Sequence, residues 1–263
     1  MRTRSPRSAW TTLRATLVLL GSFAFAYNVV VVLHEIGHVV AAWASGGKPH
    51  SLRLHPFSTS SVEVVPDPRP LVTHAAGVVA PPLVGLALLR ALRAIRTTPL
   101  RLPLLVIPSV ACASSGLYLL VGITLEVGDA AVLSQGGIPR AVLIATGLGC
   151  IFASALLVRR PLALLGLDGG STPLQRAVIL GGGVGTYLLA IVGWQLARVP
   201  DYSTWMALAG GGAALLALIG WWAPRVVPVG GDCRDGVLPL SWKDAASALA
   251  LGCLLIALEL VWL

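Results

Sequence analysis

The chain has 263 residues, of which 56% are hydrophobic and only 11% are charged. Because an ordinary soluble domain carries about 25% charged residues, this chain cannot cover a water-facing surface, which excludes a soluble globular enzyme and a disordered protein. The 19 basic and 11 acidic residues give a net charge of +8, but the basic residues form short clusters between apolar runs. The sequence has no basic stripe with interleaved aromatic residues, so no nucleic acid is expected as a partner.

Long apolar runs determine the predicted architecture. A helix crosses a bilayer with about 20 predominantly apolar residues, and runs of that length follow one another along the chain. They predict an all-α, polytopic membrane protein of about seven transmembrane helices, with the lipid bilayer as its surroundings. The predicted spans cover residues 13–44, 71–92, 102–124, 139–158, 177–197, 204–223 and 244–262.

The basic residues are distributed unevenly between the two sides of the membrane. If the spans alternate in direction, 14 of the 19 basic residues fall on the side of the N terminus. This asymmetry predicts an integral, multi-pass protein of the cell membrane with a cytoplasmic N terminus. Residues 24–26 resemble a signal-peptide cleavage site, but the apolar run continues to Leu33, so we expect the first span to be retained.

A short stretch after the first span has a soluble-like composition. Within residues 46–70, the segments 51–55 and 61–64 alternate polar and apolar residues. This alternation predicts a small β-hairpin-like loop beside the membrane, whose edge could bind an unwound substrate segment by strand addition. The glycine-rich residues 181–185 and 210–212 lack the features of phosphate loops and predict close helix packing instead.

The residues with the clearest chemistry lie near the end of the first span, in the sequence His34-Glu35-Ile36-Gly37-His38. Positions i and i+4 of a helix share a face, so both imidazoles can reach one zinc ion. Glu35 lies beside such a metal, where its carboxylate can take a proton from water that the zinc activates. Three ionisable residues at the end of an apolar helix are costly unless they are paired or bind a ligand.

A catalytic zinc site needs a third protein ligand and an open position. Glu126 and Asp129 follow the third span on the same predicted side of the membrane as His34, and zinc accepts either carboxylate. Glu259, near the end of the last span, is not excluded by its side. His74 begins the second span on that side, where it could hydrogen-bond a reaction intermediate or the water at the metal.

The sequence resembles the site-2 protease group of intramembrane zinc metalloproteases, the M50 peptidases. The resemblance rests on three segments, of which the first is the H-E-x-G-H pattern at 34–38. The second is the stretch Gly128-Asp129-Ala130-Ala131-Val132-Leu133 with Gly137-Ile138-Pro139, which is similar to the aspartate-bearing segment of the M50B-like subgroup. The third is Ala76-Gly77 with Pro81. It covers about residues 28–160. We therefore expect a membrane-embedded metalloprotease core in residues 1–160 and accessory transmembrane helices in residues 161–263.

The resemblance implies zinc (Zn²⁺) as the cofactor, His34, His38 and Asp129 as its ligands, and Glu35 as the catalytic base. The function implied is a zinc-dependent endopeptidase that hydrolyses peptide bonds of a membrane protein or peptide substrate, within the membrane or at its interface. The alternative is a non-proteolytic membrane protein that uses the same polar cluster to bind or transport a metal or another ligand.

Overall fold

The computed structural model of the protein describes residues 9–56, 60–92, 100–167, 171–198 and 240–261. Within these residues the fold is all-α with one small antiparallel hairpin, as predicted. The elements, in chain order, are α1 (Ala9–Ala44), β1 (Pro49–Arg53), β2 (Ser61–Val64), α2 (Pro70–Ala91), α3 (Arg101–Leu125), α4 (Gly128–Gln135), α5 (Arg140–Leu157), α6 (Arg159–Leu164), α7 (Pro173–Leu180), the π-helical segment Gly181–Gly185, α8 (Thr186–Arg198) and α9 (Trp242–Val261).

Five helical segments of the described residues are long and apolar enough to cross a membrane, so the chain is a polytopic membrane protein. They are Ala9–Ala44, Pro70–Ala91, Arg101–Leu125, Arg140–Leu164 and Pro173–Gly193. Each corresponds to one of the first five predicted spans, although the fifth is interrupted by the π-helical segment. The predicted span 204–223 lies outside the described residues, and the predicted span 244–262 coincides with α9.

Helix α1 is the central element of the bundle. It contacts α2, α3, α7, α8, α9 and both strands. Its 36 residues correspond to about 54 Å of helix, whereas the hydrocarbon core of a bilayer is about 30 Å thick. The helix therefore extends beyond the membrane or runs strongly tilted, and one cluster of its buried side chains, including Phe23 and Val30, packs against Val106 and Val110 of α3 and Tyr187 of α8.

Helices α1 and α9 run parallel to each other. The Trp10 and Trp242 rings meet edge to face at the start of the two helices, with centroids 6.1 Å apart. Further along, a Cβ on Gly21 would overlap the backbone of Ala248, and a Cβ on Gly252 would lie 3.0 Å from the Gly21 carbonyl oxygen. Both helices thus begin on the same side, in agreement with the alternating direction of the predicted spans.

The hairpin folds back along α1. Strands β1 and β2 pair antiparallel with Leu52 opposite Val62, and the Gly47 amide donates a 2.8 Å hydrogen bond to the Ala42 carbonyl of α1. Both strands also contact α1. The alternation of polar and apolar residues therefore predicted this element correctly.

A tight reversal joins α3 to α4. Glu126, the residue after α3, adopts the left-handed conformation with a φ of 55°. Gly128 has a φ of +63°, a conformation that glycine adopts without strain. The chain then enters α4, which packs against α2 and α3. Helix α4 is not predicted from the sequence, because eight residues between two apolar runs carry no recognisable helical period.

Candidate metal centre

His34 and His38 lie one turn apart on the same face of α1. Their Nε2 atoms are 3.1 Å from each other, and their rings meet nearly at right angles with centroids 4.7 Å apart. The i, i+4 spacing brings both rings together, as expected for a helix. His38 is buried, and the side chain of His34 is only partly exposed.

Asp129 completes the cluster from a distant part of the chain. The reversal after α3 brings the first turn of α4 beside α1, so that the Asp129 carboxylate faces both histidines. Its Oδ2 atom lies 3.1 Å from the Nε2 atom of His34 and 3.4 Å from the Nε2 atom of His38. Among the described residues, these three side chains form a group whose donor atoms lie close enough to hold one metal ion.

Neighbouring hydrogen bonds determine which atoms carry a free lone pair. The Nδ1 atom of His38 lies 2.9 Å from the Thr73 carbonyl oxygen. Because a carbonyl only accepts, Nδ1 carries the hydrogen, and in the neutral imidazole Nε2 then keeps its lone pair. The Asp129 Oδ1 atom accepts a 2.6 Å hydrogen bond from His74 Nδ1. In the part of the chain that the structure describes, the buried Oδ2 atom of Asp129 has no hydrogen-bond donor.

The separations between the three donor atoms fit a zinc ion. Two ligand atoms bound to one tetrahedral zinc at about 2.0–2.2 Å are about 3.3–3.6 Å apart. The separations of 3.1, 3.1 and 3.4 Å in the structure are close to that spacing. Two imidazoles and one carboxylate are also a donor set that zinc enzymes use, with a fourth position left for water or substrate. The residues present therefore suit zinc in both type and spacing.

The cluster keeps its carboxylate in the charged form. Burial raises the pKa of Asp129, but the lowering effect of the surrounding imidazoles, among them the His74 ring that donates to Oδ1, is larger. The net result is a pKa well below the usual range of an aspartate. The carboxylate is thus available to a cation at neutral pH, as a zinc ligand must be.

Glu35 is buried on α1 between the two histidines, with 4% of its surface exposed. It lies close enough to interact electrostatically with His34, His38 and Asp129. Glu35 thus adds a fourth ionisable side chain to the surroundings of His34, His38 and Asp129. Because burial of an ionisable side chain in an apolar helix costs free energy, such a residue marks a candidate functional site.

Close packing of α1 against α2 positions the His38 side chain. A Cβ on Gly37 would lie 2.6 Å from the Ala76 carbonyl oxygen, so glycine lets α1 and α2 approach each other. A Cβ on Gly77 would overlap the His38 imidazole. From the sequence, Ala76-Gly77 stands out only through the family resemblance, whereas these contacts give the pair a physical role.

Two residues near the cluster were missed by the sequence analysis. The Tyr118 hydroxyl accepts a 3.3 Å hydrogen bond from the Asp129 backbone amide, and its ring lies against His34 with centroids 5.3 Å apart. A Cβ on Gly128 would overlap that hydroxyl. Thr73 orients His38 through its backbone carbonyl, which no sequence pattern reveals. Tyr118 is a polar aromatic residue inside an apolar helix, and this feature of the sequence could have indicated its place near the site.

The other candidates from the sequence lie elsewhere or contact a different group. Glu126 is exposed and forms an ion pair with Arg140, so it does not join the histidines. His74 contacts the Asp129 carboxylate. Glu259 is buried on α9, where its electrostatic neighbours include Tyr27.

Comparison with protein families identifies the chain. A family model described as peptidase M50B-like matches residues 9–165, more than half of the chain and the whole of the histidine and aspartate cluster. Comparison with curated proteins and with solved structures finds no match. The family match agrees with the resemblance inferred from the sequence, and with five helices suited to a membrane. The chain therefore belongs to the M50B-like peptidases, a family of membrane metalloproteases.

Proposed function

We propose that the protein is a zinc-dependent endopeptidase whose metal is held by His34, His38 and Asp129. The observation that carries this proposal is the convergence of three lone-pair donors at separations of 3.1, 3.1 and 3.4 Å. A zinc ion bound there supplies a Lewis acid that activates water for attack at neutral pH and polarises the carbonyl of the scissile bond.

In this proposal Glu35 moves the proton. Its buried carboxylate accepts a proton from the attacking water as the water oxygen bonds to the carbonyl carbon. When the carbon–nitrogen bond breaks, Glu35 delivers that proton to the leaving amine. His74 holds Asp129 through Oδ1, and the Thr73 carbonyl holds His38 through Nδ1, so both ligands keep a fixed orientation.

The depth of the cluster supports cleavage near a membrane boundary. At the start of α1, the Arg14 guanidinium lies over the Trp242 ring, 5.0 Å from its centroid. Arginine and tryptophan together are typical of the membrane–water interface. His34 follows Arg14 by 20 residues, or about 30 Å of helix, which is the thickness of the hydrocarbon core. The cluster would thus lie near the opposite boundary, which the charge asymmetry predicts to be the external one.

A substrate segment has to be unwound before it is cut. Backbone amides of a helix in lipid are satisfied internally, so they are not available for attack. The hairpin beside α1 offers strand edges, to which an extended substrate segment of a membrane protein or peptide could add. The preferred substrate in this proposal is therefore a segment that becomes extended at the membrane boundary.

The Glu35→Gln variant tests the proposal against a metal-binding or transport function that lacks cleavage. The amide keeps the size of the side chain but cannot accept the proton, so we expect full zinc content and a loss of cleavage of at least about 100-fold. Glu126→Gln is the matched control, because Glu126 is exposed and paired with Arg140 outside the cluster. Unchanged turnover in Glu35→Gln would contradict the peptidase mechanism.

A further inference from the structure

The segment that follows β1 is anchored in the helical bundle. Pro56, three residues beyond β1, has less than 2% of its surface exposed. Its carbonyl oxygen accepts a 3.1 Å hydrogen bond from the Tyr187 hydroxyl, which belongs to α8. A hairpin end in contact with lipid could not satisfy its backbone in this way, because irregular backbone at membrane depth needs a partner in the protein.

The hydrogen bond has a defined direction. Asn28 of α1 donates from Nδ2 to the Tyr187 hydroxyl oxygen at 2.8 Å, and from the same group to the Ala24 carbonyl at 2.8 Å. Because the hydroxyl accepts from the amide, its own proton is available to Pro56, whose carbonyl only accepts. Asn28 and Tyr187 are both buried. The chain Asn28–Tyr187–Pro56 thus connects α1, α8 and the hairpin.

The glycine-rich segment before α8 brings Tyr187 into this position. Residues Gly181–Gly185 form a π-helical turn against α1, where a Cβ on Gly182 would lie 2.6 Å from a methyl carbon of Thr16. The Tyr187 ring then packs on Phe23 with centroids 6.0 Å apart. A π-helical turn shifts the residues that follow it around the helix axis, and such turns occur often at functional sites.

The anchor and the metal cluster lie at neighbouring levels of α1. Asn28 precedes His34 by six residues, about 9 Å along the helix. The other end of the hairpin is attached at Ala42, beyond His38, through Gly47. The two attachment points of the hairpin thus lie at levels of α1 on either side of His34 and His38, and the Tyr187 hydrogen bond holds one of them.

We propose that Tyr187 is a positioning residue that holds the hairpin beside the metal cluster, so that helix α8 takes part in substrate binding. The effect on cleavage rests on the proposed function, whereas the effect on the hairpin does not. Tyr187 acts through the hairpin, because its hydroxyl accepts from Asn28 and donates to the Pro56 carbonyl. Its loss should therefore weaken substrate binding while zinc and the proton transfer by Glu35 are retained.

The test replaces Tyr187 by Phe in the full-length protein, which removes the hydroxyl and keeps the ring. Hydrogen exchange of the amides in residues 49–64 should become about tenfold faster, the change expected from one lost buried hydrogen bond. The KM for a peptide substrate should rise by a similar factor, with kcat and zinc content close to those of the unmodified protein. Tyr27→Phe is the matched control, because Tyr27 packs against the Tyr187 ring with centroids 5.6 Å apart.

The outcomes separate the two proposals. Unchanged exchange in residues 49–64 of Tyr187→Phe, or equal acceleration in Tyr27→Phe, would overturn the anchoring role. Loss of zinc or an equal fall in kcat would also overturn it, because a general structural defect would then explain the result. Faster hairpin exchange in a protein that cleaves no peptide in its unmodified form would support the anchor and contradict the peptidase function.

Discussion

The His38 imidazole occupies the space into which a Cβ on Gly77 would project. Helices α1 and α2 are therefore close enough at this level that only a glycine leaves room for the histidine. The Thr73 carbonyl, one helical turn before Gly77, accepts the hydrogen bond from His38 Nδ1 at 2.9 Å. One face of α2 thus fixes both the position and the tautomer of this proposed ligand.

The Gly77→Ala variant should displace His38. Because the added methyl group would overlap the imidazole ring, we expect the zinc affinity to fall by about tenfold or more, in the range seen when the support of a metal ligand is lost. Zinc affinity would be measured by competition with a chelator. Gly149→Ala is the control, since a Cβ there meets no atom of the described chain within 4 Å. Equal zinc affinity in both variants would contradict the packing argument.

His74→Phe should weaken the metal site indirectly. The variant removes the Nδ1 donor that lies 2.6 Å from Asp129 Oδ1, so we expect about 10- to 100-fold lower zinc affinity. His50→Phe, at an exposed position of β1, is the matched control. Should His74→Phe keep its zinc affinity and lose cleavage, the residue would act on the reaction itself, the role considered from the sequence.

The identity of the third ligand can be tested with two alanine variants. We expect Asp129→Ala to lose stoichiometric zinc, because its Oδ2 atom lies 3.1 Å from His34 Nε2. Glu126→Ala should retain zinc and lose only an exposed ion pair with Arg140, worth about 0–1 kcal/mol. The zinc content of both purified variants, measured by elemental analysis, decides which carboxylate is the third ligand. Full zinc occupancy in Asp129→Ala would exclude Asp129 as a required ligand.

Zinc should stabilise the folded protein. A ligand that binds only the native state adds about 2.7 kcal/mol of stability at a free concentration 100 times its Kd. We therefore expect a higher thermal unfolding midpoint in detergent after zinc is restored to chelator-treated protein. Glu35→Gln should keep this increase and Asp129→Ala should lose it. A midpoint that does not respond to zinc in the unmodified protein would count against the site.

The membrane orientation is open to a labelling experiment. Parallel α1 and α9 begin on the same side, and the charge asymmetry predicts that side to be cytoplasmic. With the four native cysteines replaced by alanine, Ser241→Cys should react only with a reagent that enters the cell. Lys48→Cys should react with an impermeant reagent from outside. The reverse pattern would show that the predicted orientation is wrong.

The sequence predicted the spans and the hairpin because each depends on local pattern. A bilayer sets the length of an apolar run, so the predicted span 71–92 differs little from the observed Pro70–Ala91. The histidine pair follows from helical periodicity alone. The π-helical turn that interrupts the fifth span could not be predicted, because glycine repeats indicate close packing without specifying its geometry.

The surroundings of the cluster could not be predicted from local pattern. Asp129 was preferred as the third ligand because of the family resemblance, since its approach to α1 depends on the reversal at Glu126 and Gly128. The contribution of Thr73 is a backbone carbonyl, which every residue carries. Such contacts arise from the packing of α1 against α2 and α3. The division of the chain at residue 160 stays a prediction, and the hydrogen bond between Tyr187 and Pro56 crosses it.

The central claim is that two imidazoles of one helical turn and one distant carboxylate bind a single zinc ion. X-ray absorption spectroscopy of the zinc-loaded protein tests it most directly. The account predicts two imidazole nitrogens and one carboxylate oxygen at about 2.0–2.2 Å, with one imidazole lost in His34→Ala and the carboxylate oxygen lost in Asp129→Ala. A spectrum with sulfur ligands, or one unchanged by either substitution, would contradict the account.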